Sequence, residues 1–379
     1  MTQVESIGFG NINSLHSILT DFSSRKIFIV TGKRSYACCG AAGRLGELLK
    51  NYEFCTFSDF AYIPKIVDLR KGLKLFGETD CDTILAVGGG SVIDMAKLLN
   101  FFGSNDIDPE QYFRNPEQNF KKGRALIAVP TTAGSGSEAT QFAVLYINNQ
   151  KRSVDNGFLL PDVSIVDAQF TLSLPPYPTA FSGMDALSQA IESYWCVYAT
   201  ALSQEFAKKA IELIRSNLLS AVTAPTPACR LAMAQAAHLA GKAINITRTT
   251  APHAVSYPLT AFFNIPHGHA AGVLMPSFLV YNFDVTAADV LDPRGPLHVQ
   301  KTILEICRLL DQVSPAAAKQ WLDNLMHHIG LKTRLYELSI TSDQDIELII
   351  ENGLNPERVK NNPRKLTENA LRKILHDIR

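Results

Sequence analysis

Two short apolar runs constrain the fold more than any other feature of the chain. Residues 83–87 (TILAV) and 125–129 (ALIAV) show no polar alternation, and each runs straight into a Gly/Ser-rich turn. A strand that is apolar on both faces must be covered on both faces, as in a parallel sheet with helices packed above and below. Residues 26–31 (KIFIVT), ending at Gly32, and a weaker run at 54–57 extend the pattern. Helical spacing over 41–49, 64–76 and 92–99 fills the gaps. After Leu174-Pro175-Pro176 the strand patterns vanish, and helical spacing recurs over 183–194, 203–216, 228–243, 301–310 and 316–329. The chain therefore reads as an α/β domain over 1–176 followed by an all-helical domain over 177–379.

Composition narrows the partners. The 379 residues carry 36 Lys+Arg against 36 Asp+Glu, a net charge of zero. That balance argues against nucleic-acid binding and against a polybasic membrane contact. Seven cysteines, an odd number without a CxxC pair, point to a reducing cytoplasm rather than a disulfide framework. The N-terminus shows no basic segment before an apolar run, so no secretory signal is expected. Residues 249–283 hold no Asp, Glu, Lys or Arg, yet they contain four prolines and three histidines. That mixture reads as a buried, broken stretch whose histidines must be hydrogen-bonded or metallated, not as a membrane span.

Two loops suit a phosphate. Gly88, Gly89, Gly90 and Ser91 follow the strand at 83–87 and open a helix, so backbone N–H groups and the helix terminus face one spot. Ile93 stands where a GxGxxG fingerprint needs its third glycine. The second loop, 131–138 (TTAGSGSE), follows the next strand and offers Thr131, Thr132 and Ser135. Ligands of parallel sheets sit at such carboxyl ends of strands. Beyond residues 26–31 come Gly32, Lys33 and Arg34 with no acidic residue beside them, which favours NADPH over NADH.

The helical half holds a metal-like set. Asp185 and Gln189 are four apart on one helix face, and His253 and His267 lie in the charge-free stretch. A carboxylate and two imidazoles make a common divalent-metal set. With AVGGGSVIDMAK (86–97), AVPTTAGSGSE (128–138), LPDVSIVD (160–167), SGMDALSQAIESY (182–194) and FNIPHGHA (263–270), the chain resembles the iron-containing (group III) alcohol dehydrogenase family along essentially its whole length. The resemblance implies a Rossmann-like domain, a helical domain of dehydroquinate synthase-like plan, and an active site in the cleft between them. It further implies NAD(P)-dependent exchange of an alcohol and a carbonyl with Fe²⁺ or Zn²⁺, in a homodimer. Carried over by residue, Asp185, His253 and His267 match metal ligands, while Gln189 stands where the family has histidine. Asp94, Lys97, Thr131, Thr132 and Lys151 match coenzyme contacts. Tyr257 takes the place of a further histidine near the nicotinamide.

Within the family, INITRTTAPHAVSYPL (244–259) and NNPRKLTE (361–368) resemble the phosphonoacetaldehyde reductase branch. An Arg fork with flanking hydroxyls suits three phosphonate oxygens, which gives Arg248, Thr249 and Thr250 the substrate anion. His269 is expected as a further donor, and His267, Tyr257 and His269 are the candidates for chemistry and proton relay. The expected reaction is reduction of a small phosphonate aldehyde to its alcohol by hydride transfer to a polarised carbonyl. The alternatives are a general alcohol or lactaldehyde dehydrogenase, a metal-independent enzyme like maleylacetate reductase, and a nucleotide-binding paralogue without catalysis. A lyase of the dehydroquinate synthase type is disfavoured by the Asp185-based set.

Overall fold

The computed structural model describes residues 3–114, 119–148 and 150–379. The chain separates into two compact units, with the division between Leu174 and Pro175.

The first unit is built on a parallel sheet. Its strands are β1 (Val4–Gly8), β2 (Lys26–Thr31), β3 (Glu53–Phe57), β4 (Thr83–Gly88), β5 (Ala125–Pro130) and, later in the chain, β8 (Val163–Asp167). They lie in the order β1-β8-β5-β4-β2-β3, all pairs parallel. Between β5 and β8 an antiparallel hairpin intervenes, formed by β6 (Phe142–Ile147) and β7 (Gln150–Asp155). The apolar runs are explained by two cores. Phe28, Val30, Ile84, Ala86, Leu126 and Ala128 face one, while Ile27, Ile29, Leu85, Val87, Ile127 and Val129 face the other. Every residue of the central strands thus meets a packed layer, as the lack of alternation requires. Helix α1 (Gly90–Asn105) covers the first core with Ile93, Met95, Ala96, Leu98, Leu99, Phe101 and Phe102.

The second unit is helical. It contains α2 (Pro176–Trp195), α3 (Ala201–Thr223), α4 (Pro227–Thr247), α5 (Ala251–Phe263) and α6 (His267–Phe283), then five further helices between Pro296 and Asp377. Thr200 and Thr226 close capping boxes at the starts of α3 and α4. The charge-free stretch becomes α5 and α6, mostly buried. Asn264, in the left-handed region at φ 55, ends α5, and Pro266 precedes α6. Among the described residues no helix is long and apolar enough to cross a membrane.

The tail motif 361–368 is a fastener. Asn362 Nδ2 donates to Asn282 Oδ1 at 2.8 Å, and Asn361 Nδ2 donates to the Thr249 carbonyl at 2.9 Å. Arg364 lies over the Tyr281 ring at 4.2 Å and donates to Asp289 at 2.7 Å.

Candidate active site

One face of α2 carries Asp185, Gln189 and Glu192, spaced four and seven residues along the helix. His253 sits in the first turn of α5, and His267 is the first residue of α6. Gly268 lets α6 come in this close. A β-carbon there would stand 2.0 Å from the Phe181 carbonyl oxygen and 2.6 Å from Asp185 Cβ. The ligand atoms of Asp185, His253 and His267 all lie within 4.8 Å of one another.

Hydrogen bonds set the histidine tautomers. His253 Nδ1 faces Glu192 Oε1 in a short contact, while its Nε2 is 3.3 Å from Asp185 Oδ1. Ser256 Oγ donates to the His253 carbonyl at 2.8 Å, so toward His267 Nδ1, 3.3 Å away, it acts as acceptor. Both rings therefore donate from Nδ1, which leaves Nε2 as the nitrogen that can be given over to an ion. The two rings meet edge to face at 5.1 Å, and Tyr257 stacks on His267 at 5.7 Å.

The site calls for positive charge. Burial alone lowers the pKa of His253, but Glu192 and Asp185 outweigh it and push the imidazole up to about 10. A divalent ion meets the same demand that the proton meets here. Among the described residues the buried Gln189 carbonyl oxygen has no hydrogen-bond partner, and leaving such a group unpaired costs about 1–3 kcal/mol. Two imidazoles and one carboxylate, with the orphan carbonyl one turn along α2, fit a divalent metal that takes the place of the His253 Nε2 proton.

Other expected residues are placed elsewhere. His269, two positions beyond His267, is turned to the other side of α6. It is buried, its Nε2 donates to the Lys332 carbonyl at 2.8 Å, and its Nδ1 is 3.4 Å from the Tyr177 hydroxyl. Expected as a donor or proton relay, it has both ring nitrogens facing protein groups. The residues expected to hold the phosphonate also make protein contacts. Thr250 gives its backbone N–H and its hydroxyl to Glu192 Oε2, at 2.6 and 2.8 Å. Thr249 is buried, with its carbonyl held by Asn361. Arg248, at φ 69, caps α4 and turns Nη1 back onto the carbonyls of Ile244 and Asn245. The three residues build the joint between α4 and α5.

In the first unit the two loops interlock. A β-carbon on Gly88 would meet Val92 at 2.5 Å, one on Gly90 would meet Ser135 Oγ at 2.5 Å, and one on Gly89 would meet Thr132 Oγ1 at 3.3 Å. Thr131 N donates to the Gly88 carbonyl at 3.0 Å. Ser91 lies in the first turn of α1. Asp94 and Lys97, expected at the coenzyme, are occupied with protein partners. Asp94 accepts from Ser137 Oγ and, at 3.0 Å, from Val144 N. The fully buried Lys97 donates to Thr140 O, Thr140 Oγ1 and Phe142 O at 2.7, 3.0 and 3.0 Å. Burial raises the pKa of Asp94, while Lys97, its hydrogen bonds from Ser137 and Val144, and Lys151, opposite Tyr146 in the hairpin, pull the other way. Beyond β2, the Gly32 backbone approaches Ser35 so closely that a β-carbon would meet its Oγ at 2.4 Å. Arg34 precedes the short helix Ser35–Cys38. An acidic neighbour does exist: Lys33 Nζ donates to Asp59 at 2.8 Å, just past β3.

Sequence reasoning missed Glu192 and Asp59. Glu192 was visible as an acid seven residues after Asp185, on the same helix face as Gln189. Asp59 is 26 residues from Lys33 and has no local signal.

A parallel sheet with glycine-lipped strand ends suits a nucleotide, and a helical unit with a carboxylate–imidazole cluster suits a divalent metal. Residues 5–168 match the family model described as iron-containing alcohol dehydrogenase, and residues 179–379 match that of the Fe-containing alcohol dehydrogenase family, C-terminal. The chain belongs to the iron-containing alcohol dehydrogenase family and is an oxidoreductase of that type. It is 32% identical to long-chain-alcohol dehydrogenase 1 of Geobacillus thermodenitrificans over 73% of this chain and 71% of that one. It is also 32% identical to phosphonoacetaldehyde reductase of Streptomyces viridochromogenes, over 78% and 75%. Among solved structures it is similar to sulfoacetaldehyde reductase from Bifidobacterium kashiwanohense in complex with NAD+, with TM-score 0.88, 28% identity and coverage of 99% and 96%. It is likewise similar to a 1,3-propanediol oxidoreductase, with TM-score 0.90, 28% identity and coverage of 99% and 98%.

Proposed function

We propose that the protein reduces a small anionic aldehyde to its alcohol with NAD(P)H, with phosphonoacetaldehyde as the first candidate. The observation that carries the chemistry is the cluster of Asp185, His253 and His267, whose ligand atoms lie within 4.8 Å of one another; the orphan carbonyl of Gln189, one turn along α2 from Asp185, is the proposed fourth ligand. The substrate class is supported by similarity to two reductases whose named aldehydes each bear a tetrahedral oxyanion. Fe²⁺ or Zn²⁺ bound there supplies Lewis-acid polarisation of the carbonyl oxygen. The chain's own residues do the rest. Asp185, Gln189, His253 and His267 hold the ion, and Ser256 fixes the ring of His267. The nicotinamide supplies the hydride, and the Gly88–Ser91 and Thr131–Ser135 loops bind the coenzyme. Tyr257, stacked on His267, hands a proton to the new alkoxide.

NADPH is the proposed coenzyme, since Lys33 and Arg34 stand beside Gly32. The proposed setting is a homodimer in the cytoplasm; seven free thiols support a reducing compartment.

The test is coenzyme oxidation followed by absorbance, with NADPH and NADH in turn. The panel contains phosphonoacetaldehyde, sulfoacetaldehyde, lactaldehyde and uncharged aldehydes, each with Fe²⁺, Zn²⁺ or EDTA. Preference for the anionic aldehydes and loss with EDTA are expected. Turnover untouched by chelator points to a metal-independent enzyme, and preference for uncharged long-chain substrates points to a general alcohol dehydrogenase.

A further inference from the structure

We infer that Glu192 is a positioning residue that dictates which nitrogen of His253 is offered to the metal. The inference rests on the metal-site reading above and adds a residue to it.

Glu192 is completely buried on α2, one turn from Gln189. A buried carboxylate is tolerated only when its oxygens are filled. Oε2 accepts from Thr250 N at 2.6 Å and Thr250 Oγ1 at 2.8 Å, and Oε1 faces His253 Nδ1. The direction of each bond is fixed. A backbone N–H can only donate. The Thr250 hydroxyl already accepts from Trp195 Nε1 at 3.0 Å, so its own hydrogen points to Glu192. Three donors therefore converge on two acceptor oxygens, and His253 must keep its proton on Nδ1. Its Nε2, on the side of Asp185, is then the nitrogen that exchanges its proton for the ion. A carboxylate behind a ligating imidazole fixes ring and tautomer in this way.

Glu192→Gln should reverse this arrangement. Glutamine has the same shape but one acceptor oxygen. The Thr250 N–H cannot turn away, so that oxygen stays with Thr250 and the NH₂ group faces His253. Nδ1 then has to accept, the ring proton is held on Nε2, and the nitrogen aimed at the cluster is closed to the ion.

The experiment uses the full chain, stripped with chelator, and measures Zn²⁺ affinity by competition with a chromogenic chelator, without coenzyme or aldehyde. Glu192→Gln is expected to weaken Zn²⁺ binding by about 10–100-fold, the range for outer-sphere partners of metal-ligating histidines. Trp195→Phe is the control: it loosens the same packing but leaves the carboxylate, so it lowers the melting temperature and keeps the affinity within a few-fold. Wild-type affinity in Glu192→Gln overturns the assignment, as does an equal loss in Trp195→Phe. A wild-type chain that takes up no ion overturns the metal reading itself and this assignment with it. Should Glu192→Gln not fold, Glu192→Asp carries the test, because its oxygens sit one methylene short of His253. A loss of affinity there supports the assignment, and none overturns it.

Discussion

A β-carbon placed on Gly268 would stand 2.6 Å from Cβ of Asp185. The first turn of α6 can pass α2 at this distance only because residue 268 has no side chain. His267, immediately before it, is thereby held beside Asp185. Gly268→Ala has the Phe181 carbonyl in its way as well, at 2.0 Å, and backbone atoms cannot rotate aside. The substitution should destabilise the protein by about 1–3 kcal/mol, the usual cost of overpacking, and draw His267 off the cluster. Thermal unfolding and Zn²⁺ affinity measured together check this: both should fall, and retention of full affinity would show that the approach does not position His267.

His267→Ala removes one of the two imidazoles directly. Aldehyde-dependent NAD(P)H oxidation should be abolished, while coenzyme binding by the first unit, read by nicotinamide fluorescence, should persist. Unaltered turnover in this variant would remove His267 from the chemistry.

With Gln189 as the proposed fourth ligand, the cluster has two oxygen and two nitrogen donors. Imidazole favours zinc-like ions, and oxygen donors favour harder ones such as Mn²⁺. Gln189→His should raise Zn²⁺ affinity relative to Mn²⁺ by on the order of tenfold, about 1.4 kcal/mol. Gln189→Leu should weaken binding of both ions, yet leave the metal-free protein at least as stable, since it removes a buried carbonyl that has no partner. Titration of each variant with the two ions, beside melting curves of the stripped proteins, separates these outcomes.

Much of this was written in local sequence, and the remainder depended on long-range packing. The runs at 83–87 and 125–129 were legible because both faces of β4 and β5 are buried. Strand β1 (VESIG) was not: it lies at the sheet edge, half exposed, and has no apolar run to betray it. The hairpin 142–155 escaped for a related reason, since β7 (QKRSVD) is mostly polar. In the helical unit Asp185 and Gln189 could be paired by spacing alone. The partners that decide what Thr250 and Lys33 do lie 58 and 26 residues away, and only folding brings them together.

Lys97 provides a pH test of the first unit. Burial pushes its ammonium down from 10.5 to about 8, although Asp94 and Glu138 pull the other way. Between pH 8 and pH 10.5 the unfolded chain still binds a proton there that the folded chain has released. Stability should therefore rise with pH across that window, by on the order of 3 kcal/mol when complete. Lys97→Met should flatten this rise. It should also lower stability at neutral pH, because the Thr140 and Phe142 carbonyls lose their donor. Denaturant midpoints of both proteins from pH 7 to pH 10.5 provide the check, and an equal slope in the two would refute the assignment.

Coenzyme choice turns on Lys33 and its partner. Asp59 is held ionised by its hydrogen bond and charge pairing with Lys33, with Lys71 adding to the effect from 3.8 Å. The pair is exposed, so water screens it and the ammonium can be drawn away by a better anion. A 2′-phosphate, with two charges and three acceptor oxygens, is such an anion. On the proposed reading Asp59→Asn unburdens Lys33 and should raise kcat/KM for NADPH several-fold while moving that for NADH little. Lys33→Ala should do the reverse, raising KM for NADPH and sparing NADH. Steady-state kinetics with both coenzymes at one saturating aldehyde concentration measure the two ratios. If neither substitution changes the NADPH-to-NADH preference, the turn after β2 does not read the 2′ position, and the preference has to be sought elsewhere in the first unit.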